Sequence, residues 1–235
     1  MKNYLTASTV LVLTIWCAER ATAQGSFQNL NFESASFVPI PDDRFDRVYL
    51  TSALPHWTAY VGTNQLDAVL HNNAYLGSAG IAVLDSSWRL PLQGNFSVLL
   101  QAGADLTTQL PADVSLTQTG LVPSNARSLW FSAQFLPLSQ YPTEFAVSLG
   151  GVELDLFAFP SGTSTATLYG ADISAFAGQT LPLNFTLFAP RPFGPADLYL
   201  DAIQFSPTPV PEPSAIALFG LAAVLGWLFR RGTFR

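Results

Sequence analysis

Glu153 and Asp155 are the best-spaced carboxylate pair in the chain. On a strand running from Val152 to Phe157 the period of two places both on one face. Two carboxyls so placed can share acid and base work on a glycoside. Val152, Leu154 and Leu156 then point inward, which is the pattern of any half-exposed strand, and this structural reading carries more weight. The two histidines, His56 and His71, lie far from the single cysteine, Cys17, and read as packing or surface residues. There is no Gly-x-Ser-x-Gly elbow, no phosphate-cradling Gly-rich loop with lysine and no His-Glu-x-x-His. No catalytic residue emerges, and no enzyme is expected. The one dense charge cluster, Asp42-Asp43-Arg44-Phe45-Asp46-Arg47, reads as a solvated loop with local ion pairs, each worth under about 1 kcal/mol.

Aromatic rings offer a second chemistry, because exposed Trp and Tyr faces stack on sugar rings. Trp57 with Tyr60, and Trp88 next to Arg89, stand beside Pro- or Ser-rich loop signals and are the candidate platform. Most other aromatics, among them Tyr75, Tyr141, Tyr169 and Tyr199, belong in a core, where large rings dominate the burial energy.

The end of the chain carries a different kind of signal. Val210-Pro211-Glu212-Pro213-Ser214 precedes an apolar run at residues 215–229, which is followed by Arg230 and Arg231. The run is apolar on every face and slightly shorter than the roughly 20 residues of a full span. Its basic end stays cytoplasmic, which leaves everything upstream outside. The N-terminus agrees: Lys2, an apolar core at residues 5–18 and Ala21-Thr22-Ala23 describe a cleaved signal peptide, so the mature chain starts at Gln24. Cys17 lies inside that signal behind the bulky Trp16, unlike a lipidated cysteine, and the mature domain is left without cysteine. The tail resembles the PEP-CTERM signal of bacteria that make exopolysaccharide. The resemblance implies that an exosortase-type membrane peptidase recognises and removes it. It also implies a transient anchor in the inner membrane, and then the cell surface or extracellular matrix.

These elements divide the chain into a signal peptide (1–23), one domain (24–206), a Pro-rich linker (207–213) and a membrane sorting helix with its basic tail (214–235). The mature domain has fourteen acidic and five basic side chains, a net charge near −9, and no lysine. That excludes a nucleic-acid footprint and suits a neutral, hydrated partner such as a glycan, or simply solubility outside a cell. Residues 96–101, 128–135, 144–149 and 181–188 are short runs rich in aromatic and β-branched residues. Turn formers separate them, so an all-β sandwich is expected. Asp172 and Gly178 bracket a single helical turn.

Three further stretches resemble the galactose-binding-like jelly roll on which many carbohydrate-binding modules are built: Asn29-Leu30-Asn31-Phe32-Glu33, residues 171–179, and Leu198-Tyr199-Leu200-Asp201-Ala202-Ile203-Gln204-Phe205. The resemblance implies a single jelly-roll β-sandwich with a structural calcium ion shared by Glu33 and Asp201. Calcium takes six to eight oxygen ligands, carbonyls included. The alternative is that Glu33 is a solvated strand end and Asp201 a turn residue. The function expected is that of a non-catalytic envelope or matrix protein that associates weakly with exopolysaccharide; the second reading is a dedicated calcium-stabilised carbohydrate-binding module.

Overall fold

The structure, a computed structural model, describes residues 25–88, 91–160, 166–192 and 194–211. The expected signal peptide with Cys17, and also Arg89, Glu212, Pro213, Arg230, Arg231 and the membrane helix of the tail, lie outside the described residues.

Runs of aromatic and β-branched residues between turn formers fold as strands. In chain order they begin with β1 (Arg47–Tyr49), β2 (Thr58–Val61), β3 (Asn64–Leu66), β4 (Ala68–His71) and β5 (Gly80–Asp85). Next come β6 (Phe96–Ala104), β7 (Pro111–Ala112), β8 (Val114–Leu121), β9 (Ser128–Leu136) and β10 (Phe145–Leu149). Then follow β11 (Val152–Glu153), β12 (Phe157–Pro160), β13 (Thr167–Asp172), β14 (Thr180–Leu187) and β15 (Ala196–Ser206). One short helix, α1 (Leu50–Ala53), follows β1. The expected turn after Asp172 is a 3-10 turn, Ser174–Phe176, whose Ser174 N–H donates to Asp172 Oδ1.

Two sheets face each other. One has the order β1-β4-β5-β6-β15-β9-β13-β12, with β7 beside β6; the other has the order β11-β10-β14-β8-β2-β3. From β8 onward the chain keeps changing sheet, with β8, β10 and β14 in the second and β9, β13 and β15 in the first. This winding makes the all-β jelly-roll sandwich that the sequence leads one to expect. Alternation along the strands builds the core. Val114 and Leu116 of β8, Leu129 and Phe131 of β9, and Leu183, Phe185 and Leu187 of β14 all turn inward. Phe131 meets Phe185 edge-on across the sheets at 5.2 Å. Each such ring or Leu stabilises the fold by about 1.5–3 kcal/mol. β5 is an exception to alternation: Ile81 and Val83 join this core while Ala82 and Leu84 join a second cluster with Leu70, Leu99 and Tyr199. Phe45, Tyr75 and Leu92 cover that cluster, which is why β5 is apolar on both faces.

The strand expected from Val152 to Phe157 does not form. The chain leaves the second sheet after Glu153 and enters the first at Phe157. Val152 is therefore 54% exposed, not inward, while Leu154 is buried at the crossing. Glu153 and Asp155 consequently share no strand face.

The two ends of the sandwich differ in what they hold. At one end, Ser206 of β15, Ser128 of β9 and Asp172 of β13 stand in one row. Leu121 of β8 and Thr180 of β14 close the other sheet there. The chain leaves from this exit end. At the far end lie the 62–63 turn and the 105–110 turn between β6 and β7.

Candidate functional site

The loop from β5 to β6 joins two strands at the exit end, where Asp85 pairs with Phe96. Two carboxylates from opposite ends of the chain grip its second half. Glu33 Oε1 accepts the Asn95 N–H at 2.7 Å and the Phe96 N–H at 3.2 Å, and Oε2 accepts Asn95 Nδ2 at 2.7 Å. Asp201 Oδ2 accepts the Gln93 N–H and the Ser97 hydroxyl, each at 2.8 Å, while its Oδ1 accepts the Ala202 N–H. Between the two grips Gly94 has φ +62°, and a Cβ there would stand 2.2 Å from Glu33 Oε1. Only glycine fits that place.

The two carboxyls differ electrostatically. Burial pushes Asp201 up to about 6 against its three hydrogen bonds, and the nearby charge of Glu33 adds to the rise. For Glu33, burial also acts upward, but the bonds from the Asn95 side chain and the Asn95 and Phe96 N–H groups outweigh it and leave the group lowered.

The first half of the loop is held by a third carboxylate. Asp85 Oδ1 accepts the Ser87 N–H and hydroxyl, and Oδ2 lies 3.2 Å from His71 Nε2. The Ser87 hydroxyl is the main reason that Asp85 stays well below the usual carboxylate range. Asn72 ties the same turn down, accepting the Asp85 N–H and donating to Ser87 Oγ. Trp88 follows directly and is 50% exposed. Beside this turn lies an open depression lined by Asp85, Ser86, Ser87, Gly94, Asn95 and Phe96. An exposed ring next to hydroxyl, amide and carboxylate groups can stack on one face of a sugar and bond its hydroxyls.

The other predicted residues separate. Trp57 is 4% exposed, packs on Phe32 and Phe185, and donates its indole N–H to the Asn29 carbonyl. It is a core residue and presents no ring face to a ligand, which corrects its place in the platform. The buried indole has its partner inside, as a buried Trp requires. Tyr60 is half-buried on β2 of the second sheet, away from Trp88. His71 stacks on Phe37 at 3.5 Å, whereas His56 sits in a turn near Gln118. In the charge cluster, Asp43 pairs with Arg47, whose guanidinium brings the carboxyl down to about 2.

Calcium can be weighed against the donors present. Glu33 and Asp201 converge on one segment and offer oxygen alone, as a hard cation requires. Among the described residues, however, no three His, Cys, Asp or Glu side chains group together. N–H and O–H donors already occupy both carboxylates. The residues therefore fit a calcium ion only where carbonyls or water complete most of its shell.

One aromatic was missed by the sequence reading. Trp130 points outward between the inward Leu129 and Phe131, lies over Gly170 and packs 5.3 Å from Phe159. Its indole donates to Ser128 Oγ, which in turn donates to the Thr208 carbonyl. Strict alternation along β9 is the signal that would have found it.

A second concavity occupies the far end. It measures about 220 Å³ and is lined by Val61, Leu66, Val69 and Ile81, with Asn64 and Asp105 at its rim.

Comparison with known proteins places one part of the chain firmly. A family model described as the PEP-CTERM protein-sorting motif matches residues 209–232. The motif marks an exported protein, anchored in the membrane until an exosortase-type peptidase processes it. No curated protein matches the chain. Among solved structures, it is similar to TmCBM61 in complex with β-1,4-galactotriose, at 12% identity and a TM-score of 0.43, over 78% of this chain and 98% of that one. It is similar to the K2 cleaved adhesin domain of Lys-gingipain, at 15% identity and a TM-score of 0.42, over 75% and 95%. A third, the mannan-recognising carbohydrate-binding module TmCBM27, has 12% identity and a TM-score of 0.35, over 73% and 98%.

Proposed function

We propose that this chain is a non-catalytic envelope or extracellular-matrix protein that, once released from its sorting tail, associates weakly with neutral exopolysaccharide through Trp88 and the depression beside it. The observation that carries the reading is the exposed Trp88 on a loop whose two halves are fixed by Asp85, Glu33 and Asp201. A loop fixed on both sides of the ring leaves less to order on binding, which favours even a shallow contact. Asp85, Ser87 and Asn95 supply bonds to sugar hydroxyls, and a mature domain near −9 without lysine has little for an anionic polymer to hold. The non-catalytic part is supported by how the carboxylates are used: Glu33, Asp85 and Asp201 each bond loop donors, and Glu153 and Asp155 lie beside the edge of the second sheet. The test is retention of the mature chain on exopolysaccharide from the source cells. Saturable retention that Trp88→Ala abolishes, in a protein that still melts cooperatively, is the expected result. Equal retention by both proteins, or none by either, removes the reading.

A second reading adds a calcium ion between Glu33 and Asp201, favoured by the two carboxylates lying close enough for one to raise the other. It requires calcium to raise the thermal midpoint of the parent over EDTA and to leave Glu33→Ala unmoved.

A further inference from the structure

The way the chain leaves its last strand sets the direction in which the domain faces. β15 ends at Ser206, whose carbonyl accepts the Arg127 N–H. Two residues on, the Thr208 N–H donates to Ser206 Oγ and the Thr208 carbonyl accepts the buried Ser128 hydroxyl. Thr208 is thus the last residue that these bonds fix to the sandwich. Ser214, where the expected membrane segment begins, is only six positions further along the chain. Extended chain spans at most about 3.3–3.6 Å per residue, so the tether reaches roughly 20 Å. β15 has 11 residues, a length of about 36 Å at a strand's rise. The tether is shorter than the domain.

We infer that, while the tail is in place, the exit end of the sandwich is held against the bilayer surface, and that removal of the tail uncovers Trp88. The antiparallel registers put the 86–95 loop, the 122–127 segment and the 173–179 turn at that end. The 105–110 turn stands at the opposite one. The groups presented at the exit end suit a headgroup layer. Trp88 and Leu121 are exposed there, and so is Arg127. Tryptophan favours the membrane interface, while Arg127 stands near Asp172. Tail cleavage then acts on function as well as on location, since a ring that faces lipid is closed to a polymer. The screening rests on the tail being a membrane anchor; its consequence for glycan alone rests on the function proposed above.

The mature domain has no cysteine, so single cysteines report position cleanly. The mature chain with its tail, from Gln24 to Arg235, is placed in vesicles of phosphatidylethanolamine and phosphatidylglycerol, carrying Trp88→Cys, Ser124→Cys or Thr107→Cys. Each is treated with a maleimide on a bulky water-soluble polymer. Thr107→Cys, in the far-end turn, should react several-fold faster than the other two. A flexible insertion of about twelve Gly and Ser residues after Thr208 should bring the three rates together. Equal rates without the insertion overturn the inference, and so does a slow exit end that the insertion leaves slow. Sugar binding plays no part in the readout, so glycan failure and orientation failure remain separate results.

Discussion

At the exit end, Glu33 and Asp201 hold residues 93–97 through five hydrogen bonds that join positions more than sixty residues apart in the chain. At the far end, Asp105 accepts the N–H groups of Thr107 and Thr108 within its own turn, beside a recess of about 220 Å³. The 93–97 segment is closed by long-range contacts and the 105–110 turn by local ones. Long-range closure makes stability and site geometry depend on the same residues, so damage to one is damage to both. Local closure leaves the 105–110 turn more tolerant of change.

The sharpest way to break this contrast is to truncate under the exit end. Trp57→Ala removes a buried ring and its bond to Asn29, and should cost about 3–5 kcal/mol in denaturant unfolding. Leu106→Ala, exposed beside the far recess, should stay within about 0.5 kcal/mol. A similar cost for both would mean that the two ends are equally bound into the core.

Two glycines provide a finer comparison, because their backbones match. Gly94 and Gly62 have φ of +62° and +58°, but a Cβ meets Glu33 at the first and open space at the second. Gly94→Ala should therefore lose about 1–3 kcal/mol, and Gly62→Ala only the smaller backbone share, about 1 kcal/mol. Thermal midpoints of the two variants decide it.

Titration separates Asp201 from Asp105 by sign. Folded Asp201 holds its proton to about 6, above the ordinary carboxyl value near 3.9. The folded state binds that proton more tightly. Its contribution to stability is complete below about pH 4 and is lost as the pH rises through about 6. Subtracting the midpoint curve of Asp201→Asn from that of the parent should reveal this decline. Asp105 is lowered, chiefly by the Thr108 N–H. Its contribution is present above the ordinary value and is lost as the pH falls, so Asp105→Asn should give a difference curve of opposite slope. Smallest in stability is Trp88→Ala, expected within about 0.5 kcal/mol of the parent because the ring is half exposed.

What was legible in the sequence follows the same division. The strands β6, β9, β10 and β14 can be read from their own residues, because each is a local run of suitable types. The tail is equally local, and its motif stands out at residues 209–232. Glu33 and Asp201 were reached by resemblance, but their common hold on residues 93–97 was not, since no spacing rule links three distant segments. Trp57 sits next to loop formers and so looked exposed; the Asn29 carbonyl that draws it inward is 28 residues away. The strand drawn through residues 152–157 failed because a sheet-to-sheet crossing can keep the same alternation of apolar and charged residues.

The central place of β15, between β6 and β9, sets the order of events during export. Its neighbours are complete long before it, yet the first sheet stays split in two until residues 196–206 emerge. Secretion delivers the chain from its N-terminus, so the strand that joins the halves is also the last to arrive, a few residues ahead of the segment that stops in the membrane. The strand on which closure of the first sheet depends is thus also the one next to the sorting motif, so the two share one end of the chain.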